Sequence, residues 1–336
     1  MKKRFNNLSI YRIVITLLVL QYHVFYILYN RAIPFETLLS KGVQGLTCLS
    51  GLLYSQKLIS NYKKFYLDGV KKIIIPALVC FGLMAIWNLV YMLATRNWDY
   101  ISMFVGHRAY NNGLLIQPGN YYYIAYIFAC YLVTPILQKK NYQSAIVASL
   151  MVAIELIVGF FLGSAIIMTS YLVGYFLGKF VFKQLTDTEE KLNLKHFFIY
   201  LGATVASVGI YALLVFYPIH GNYFLDRSNS LICNIMLSTF GTASFFLIAH
   251  ILRWTNKYNT PKLFLFTDKI SLNIYLFNQA FMCGAMNVAV WVDPWWAKYL
   301  LVYTFTIGFG ILSYYLYKLI MSIKKKDKPQ QAPAQS

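Results

Sequence analysis

The chain has 336 residues, of which 59% are hydrophobic and 12% charged, with a formal net charge of +19 and a mean hydropathy of +0.54. A soluble chain keeps about a quarter of its residues charged to cover its surface, so this composition excludes an ordinary soluble enzyme and calls for an apolar solvent. The positive balance does not point to nucleic acid, because the Lys and Arg residues lie between apolar stretches and form no basic stripe interleaved with aromatics.

A helix needs about 20 apolar residues to cross hydrocarbon. In chain order the candidates are 9–29, 41–59, 72–94, 119–138, 143–161, 164–182, 196–217, 229–251, 269–291 and 297–319. The second is diluted by Gly42, Gly45, Cys48, Ser50 and Gly51, and small residues of this kind let helices approach closely, so it reads as a span buried by its neighbours. The stretch 95–120, rich in aromatics, amides and glycine, is the longest loop and has the composition to stack on and hydrogen-bond a sugar. The basic N-terminus precedes an apolar run too long for a removed signal and without a small-residue cleavage site, so it reads as a retained first helix. No linker divides the chain. The expected organisation is an all-α polytopic domain over 1–322, about ten transmembrane helices in one bundle, followed by a polar, disordered cytoplasmic tail over 323–336.

Loop charge gives the orientation. With both termini cytoplasmic, inside segments hold 23 of the 30 Lys and Arg residues, and outside segments hold 6. That asymmetry follows the positive-inside rule. The remaining cation, Arg12, lies within the first span, as does His23.

Those two residues are eleven apart, which at 100° per residue is three turns plus about 20°, so both point to one helix face. Along the axis they are separated by about 16 Å. Arg12 alone could snorkel to lipid phosphates, and a lone His23 could be a hydrogen-bonded core residue. An ionisable group within a span is nevertheless a functional candidate by default. Glu155 is the one carboxylate well inside a candidate span; it could orient His23, pair with Arg12, or serve structure alone. Cys48, Cys80, Cys130, Cys233 and Cys283 are scattered singly, without metal-ligand spacing, and read as small buried hydrophobes. No metal is expected. No G-x-S-x-G elbow or H-E-x-x-H motif is present. Ser50 is the nearest candidate for a covalent nucleophile but reads as a packing residue, so direct transfer is the simpler chemistry.

The Arg-x10-His pattern of the first span resembles the signature of the integral-membrane acyltransferase family three. Further stretches match in order. "GVQGLTCLSGLLYSQKL" (42–58) resembles the family's Leu-Ser-Gly block, "FYLDGVKKIIIPALV" (65–79) its basic cluster before a proline, "GNYYYIAYIFACYLVTPIL" (119–137) its fourth helix, and "KISLNIYLFNQAF" (269–281) its ninth. The resemblance covers most of the chain. Asn120 and Asn278 stand where the family carries histidines, and Lys71 and Lys72 where it often carries arginines. Asparagine keeps hydrogen bonding but takes no proton, and lysine is a point cation without bidentate phosphate geometry.

The resemblance implies a bacterial O-acetyltransferase of the cytoplasmic membrane. It would move an acetyl group from cytoplasmic acetyl-CoA to a hydroxyl of a surface polysaccharide, such as a capsule, exopolysaccharide or cell-wall glycan, or of its lipid-linked precursor. Acyl-CoA is then a donor substrate, with no permanently bound cofactor. The partners are that donor, the glycan acceptor and membrane lipids, without nucleic acid. His23 becomes the candidate base, since an imidazole exchanges protons near neutral pH. Arg12, Lys71 and Lys72 are candidates for the anionic donor, and Arg12 also for the polarised thioester carbonyl. Glu155 completes the catalytic candidates. His107 in the long loop, with Asn120 and Tyr122 at the entry to the fourth span, are the candidate acceptor contacts. The alternative from another class is a transporter or flippase for glycan or acyl cargo, with Arg12 and Glu155 as pathway charges; inverted repeats or half-helices would favour it, and neither is visible.

Overall fold

A computed structural model describes residues 5–28, 36–96, 121–139, 141–189, 193–282 and 286–326. Among these residues the chain is helical and contains no strand. The helices are α1 (Asn6–His23, continuing as a π-helical turn Val24–Leu28), α2 (Glu36–Ser40), α3 (Gly42–Ser55), α4 (Tyr62–Gly69, continuing as a π-helical turn Val70–Ile74) and α5 (Ile75–Thr95). They are followed by α6 (Tyr121–Gln138), α7 (Tyr142–Leu162), α8 (Met168–Thr186), α9 (Leu194–Phe216), α10 (Tyr223–Ile251), α11 (Lys262–Phe277) and α12 (Trp295–Lys326).

Several boundaries have local causes. Asn141, Asn193 and Asn222 cap α7, α9 and α10, each side chain accepting a backbone N–H of the first turn. Helix α7 stops at Gly163, whose φ of 64° suits a residue without Cβ.

Among the described residues six helices are long and apolar enough to cross a membrane: Asn6–Tyr26, Tyr62–Thr95, Tyr142–Leu162, Leu194–Phe216, Tyr223–Lys257 and Trp295–Ile323. Of the remaining expected spans, α3 has 14 residues and α11 has 16. The ninth expected span, 269–291, is corrected. Its helix starts earlier, at Lys262, and ends at Phe277, where the buried amides Asn278 and Gln279 interrupt the apolar run and short 3-10 turns follow. At the C-terminus α12 runs to Lys326, so the first part of the expected tail, 323–326, is helical, and residues 327–336 lie outside the described residues. Most of the long loop 95–120 also lies outside them.

The chain divides into two compact units, Met1–Gly69 with Tyr122–Ser271, and Val70–Tyr121 with Leu272–Ser336. Two of the crossings fall inside continuous helix, at Gly69–Val70 and within α11, which is why no linker composition marks them in the sequence.

In the first unit α3 packs against α8 and α10, and α9 against α10. Gly51 and Gly174 explain the closeness of α3 to α8: a Cβ on Gly51 would lie 2.1 Å from the Tyr171 carbonyl oxygen, and one on Gly174 would lie 2.0 Å from that of Cys48. This is the close approach that the small residues of the second span suggest. Along α7, Ile146, Leu150, Ile154, Ile157 and Phe161 are exposed at helical spacing, while Met151, Glu155 and Gly159 are buried. One face of that helix is built for lipid and the other for protein.

The second unit packs α5 against α12. Trp87 of α5 meets Phe281, Trp291, Phe305 and Phe309, and Asn273 donates to Ser313 Oγ at 2.8 Å.

Gly174→Leu is expected to abolish the monodisperse folded protein, since its side chain must displace backbone. Gly202→Ala, where a Cβ meets nothing within 4 Å, should hold or raise the melting temperature, because alanine is the better helix residue by about 1 kcal/mol. Size exclusion and thermal unfolding of the two variants check this.

Candidate functional site

Helix α1 is unbroken from Asn6 to His23, so the eleven-residue spacing between Arg12 and His23 is a helical one. Ser9, Arg12, Thr16 and His23 fall within an arc of about 60°. They form a polar stripe on a helix whose other positions are mostly apolar. Ser9, Thr16 and His23 are buried. Thr16 Oγ returns to its own helix, donating to the Arg12 carbonyl at 2.8 Å.

Arg12 is held by a residue the sequence reading passed over. Its Nη1 donates to Asp268 Oδ1 at 2.7 Å, and Ser9 Oγ donates to Asp268 Oδ2 at 3.1 Å. The Asp268 side chain is 3% exposed and that of Arg12 is 33% exposed. The carboxylate is therefore the buried anchor and the guanidinium its accessible partner. Among the described residues one guanidinium donor of Arg12 is used in hydrogen bonding, out of the five N–H groups an arginine carries. Asp268 lies one residue before "KISLNIYLFNQAF", and its place beside Lys269 reads as an ordinary interface charge. The available signal was that it is the only acid in the long apolar stretch "LFLFTDKISLNIYLF".

Helices α3 and α6 add neutral hydroxyls. A Cβ on Gly42 would meet Ile15 and Val19 of α1, and one on Gly45 would meet the Tyr11 hydroxyl. Helix α3 thus runs down α1 in the opposite sense and brings Thr47 and Ser50 toward the Arg12 level. Both hydroxyls donate to their own helix, at 2.8 Å and 3.0 Å, which leaves lone pairs to accept. Tyr123 of α6, buried, sits beside Thr47 and Ser50 and within range of the Arg12 charge. The acceptor contact expected from sequence is its neighbour, Tyr122. Tyr122 is half-buried, with its ring 6.4 Å from that of Tyr126. His107 and Asn120 lie outside the described residues.

His23 ends α1 immediately before the π-helical turn, buried, with its ring 5.0 Å from Tyr22 in an edge contact. Lys71 and Lys72 lie within the other π-helical turn, both exposed. Among the described residues these two turns are the only π-helical ones. Such turns are rare and frequent at functional sites; here one contains Lys71 and Lys72 and the other begins just after His23. Lys71 and Lys72 belong to the second compact unit, Arg12 and His23 to the first.

Glu155 is placed elsewhere than either pairing considered for it. Its carboxylate meets neither His23 nor Arg12. One oxygen accepts the backbone N–H groups of Ile167 and Met168, and the other accepts from Thr169 N and Thr169 Oγ, both at 2.7 Å. Glu155 is 2% exposed. It is an anion seated on the N-terminus of α8, where unpaired N–H groups and the helix dipole favour negative charge. No group of three or more His, Cys, Asp or Glu residues able to hold a metal occurs among the described residues.

An arginine anchored by a buried carboxylate, neighbouring hydroxyls and a histidine farther along the same helix can bind an anion or a polarised carbonyl and accept a proton. The family model described as an acyltransferase domain, that of acyltransferase family three, matches residues 5–316. The chain belongs to this family. No curated protein and no solved structure gave a match.

Glu155→Ala is expected to lower the unfolding midpoint. It strips partners from several buried N–H groups, each worth about 1–3 kcal/mol when left unsatisfied. Thermal unfolding in detergent, with Glu155→Gln as the milder change, measures it.

Proposed function

We propose that this acyltransferase moves an acetyl group from acetyl-CoA to a hydroxyl of a surface polysaccharide or its lipid-linked precursor, at a bacterial cytoplasmic membrane. The observation that carries the reading is Arg12, pinned by buried Asp268 yet one-third exposed, at one end of the stripe that ends in His23. The family membership supplies acyl transfer, and the loop charges support an arrangement of about ten spans with both termini cytoplasmic.

The roles follow from what each group can donate or accept. The unused N–H groups of Arg12 face the anionic donor and hold its phosphates, about 16 Å of helix away from His23. Asp268 holds the guanidinium in orientation. His23 accepts the proton of the acceptor hydroxyl as its oxygen attacks the carbonyl carbon. The carbon–sulfur bond then breaks and CoA leaves as the thiol, taking up the proton held by His23, so one ester forms as one thioester is lost. Lys71 and Lys72 offer point charges for the donor's phosphates, as the family resemblance implies. His107, Asn120 and Tyr122 stand as proposed acceptor contacts.

Purified protein with labelled acetyl-CoA and extracted surface glycan tests the reading. Release of CoA matched by labelled glycan supports it, and a protein that leaves acetyl-CoA untouched sinks it. His23→Ala is expected to retain acetyl-CoA binding and to lose transfer by about 100-fold or more, within the range for removing a general base. Wild-type rates in His23→Ala would refute that role. Asp268→Asn keeps shape but removes the counter-charge, and kcat is expected to fall while the protein still folds. Steady-state kinetics on the two variants separate base from anchor.

A further inference from the structure

The Arg12–Asp268 contact joins two helices far apart in sequence, and something must fix their relative height. The first residue of α1 provides it. Asn6, buried, donates through Nδ2 to the carbonyl oxygens of Thr255, at 2.9 Å, and of Tyr258, and its Oδ1 accepts from Thr260 Oγ. Thr255 lies in the 3-10 helix Leu252–Lys257 that follows α10, and Tyr258 and Thr260 lie in the link to Lys262, where α11 begins. The start of α1 is thus tied to the entry of α11. From Asn6 to Arg12 is six residues, and from Lys262, the start of α11 two residues after Thr260, to Asp268 is also six. Each interval is about 9 Å along a helix axis. Pinned at their N-terminal ends, the two helices bring guanidinium and carboxylate to the same height.

Neighbouring asparagines hold α1 against sliding. Asn7, 0% exposed, donates through Nδ2 to the carbonyls of Leu185 at 2.7 Å and Ala249 at 2.8 Å, in the last turns of α8 and α10. The backbone N–H of Asn7 is accepted by Asn256 Oδ1 at 3.1 Å, and Asn256 Nδ2 donates to Thr186 O at 3.1 Å. These amides satisfy carbonyl and N–H groups that helix ends leave orphaned. They are uncharged, so they do so without adding a charge beside the Arg12–Asp268 pair.

We propose that the Asn6–Thr260 clamp is a positioning device for the site: it sets the register of α1 on α11 and so the geometry of the Arg12–Asp268 pair. Neither residue touches the reacting atoms. Asn6 and Thr260 act through the pair. The kinetic consequence rests on the acyl-transfer reading above, whereas the geometric consequence does not.

The test is a thermal cycle and a kinetic one on the full chain in detergent. Arg12→Gln, Asp268→Asn and the double variant are made in the parent and again in Thr260→Val, which removes a single hydroxyl, and in Asn6→Ala. In the parent the two melting-temperature shifts are expected to be strongly non-additive, as for contacting residues. In Thr260→Val and Asn6→Ala that non-additivity should fall by at least about half. Non-additivity unchanged in both backgrounds overturns the clamp, and should Asn6→Ala not fold, Thr260→Val decides alone.

For turnover, Asn6→Ala is expected to lower kcat by about tenfold or more, the scale of a small misplacement of a catalytic group. Asp268→Asn should cause little further loss in that background. Thr260→Ser, which keeps the hydroxyl, should restore parental kcat where Thr260→Val does not. Multiplying losses, or a Thr260→Ser no better than Thr260→Val, would mark a merely structural contact and overturn the proposal. A parent that never turns over acetyl-CoA defeats the acyl-transfer reading instead, and the thermal cycle still judges the clamp.

Discussion

A guanidinium carried into an apolar bundle has to meet a counter-charge before its helix can seat. In this protein Asp268 supplies it, 2.7 Å away and almost wholly buried. Removing one member of a buried pair leaves the other uncompensated, typically at a cost of about 3–5 kcal/mol, whereas exposed pairs contribute little. The Arg12–Asp268 pair lies between these limits, because its carboxylate is buried and its guanidinium reaches an accessible side. Selection for stability alone would favour an apolar contact of similar volume. Retaining the pair makes sense where the cation is used. The α1 and α11 backbones inherit its constraint, since neither can slide by a residue without separating the charges.

The rest of the first unit keeps that pair in a polar setting. Helix α8 is held at its start by Glu155 and at its end through Asn7 and Asn256. It presents Gly174 to α3, whose Gly51 lets the two backbones touch. The contact fixes α3, and α3 carries Thr47 and Ser50 to Tyr123 and toward Arg12. A chain of packing steps therefore runs from an interior carboxylate to the hydroxyls near the candidate donor site. Between membrane helices, with no water to expel, close approach of small residues is a principal source of association. The glycines are in that sense part of the site's support.

The all-helical, multi-span class could be read from composition, because the bilayer imposes length and polarity rules that a sequence must obey. The first helix was legible in detail: one period aligns Arg12 with His23, and the structure leaves that helix unbroken. The burial of α3 followed from its small residues. What sequence could not supply was partnership over long separations. Asp268 pairs with Arg12 across 256 positions, and no local periodicity encodes that. Glu155 was conspicuous for being apolar-flanked, but its partners are backbone N–H groups, which every sequence contains and none advertises. The ninth span failed for a local reason. Its apolar average hid Asn278 and Gln279, two amides that interrupt the run where α11 ends.

Glu155 and Arg12 are both charges inside candidate spans, and their difference lies in what capacity each has left. Both oxygens of Glu155 are committed, to three backbone N–H groups and one hydroxyl, and the residue is 2% exposed. A carboxylate so committed has no open side from which to meet a substrate. Arg12 has one donor on Asp268 and a third of its side chain exposed. Its charge is oriented from behind and unspent in front. Rarity of a charge within a membrane helix is thus only half of the argument for function. The remaining half is donor capacity left over on a side chain that is not buried, and of these two groups Arg12 has it.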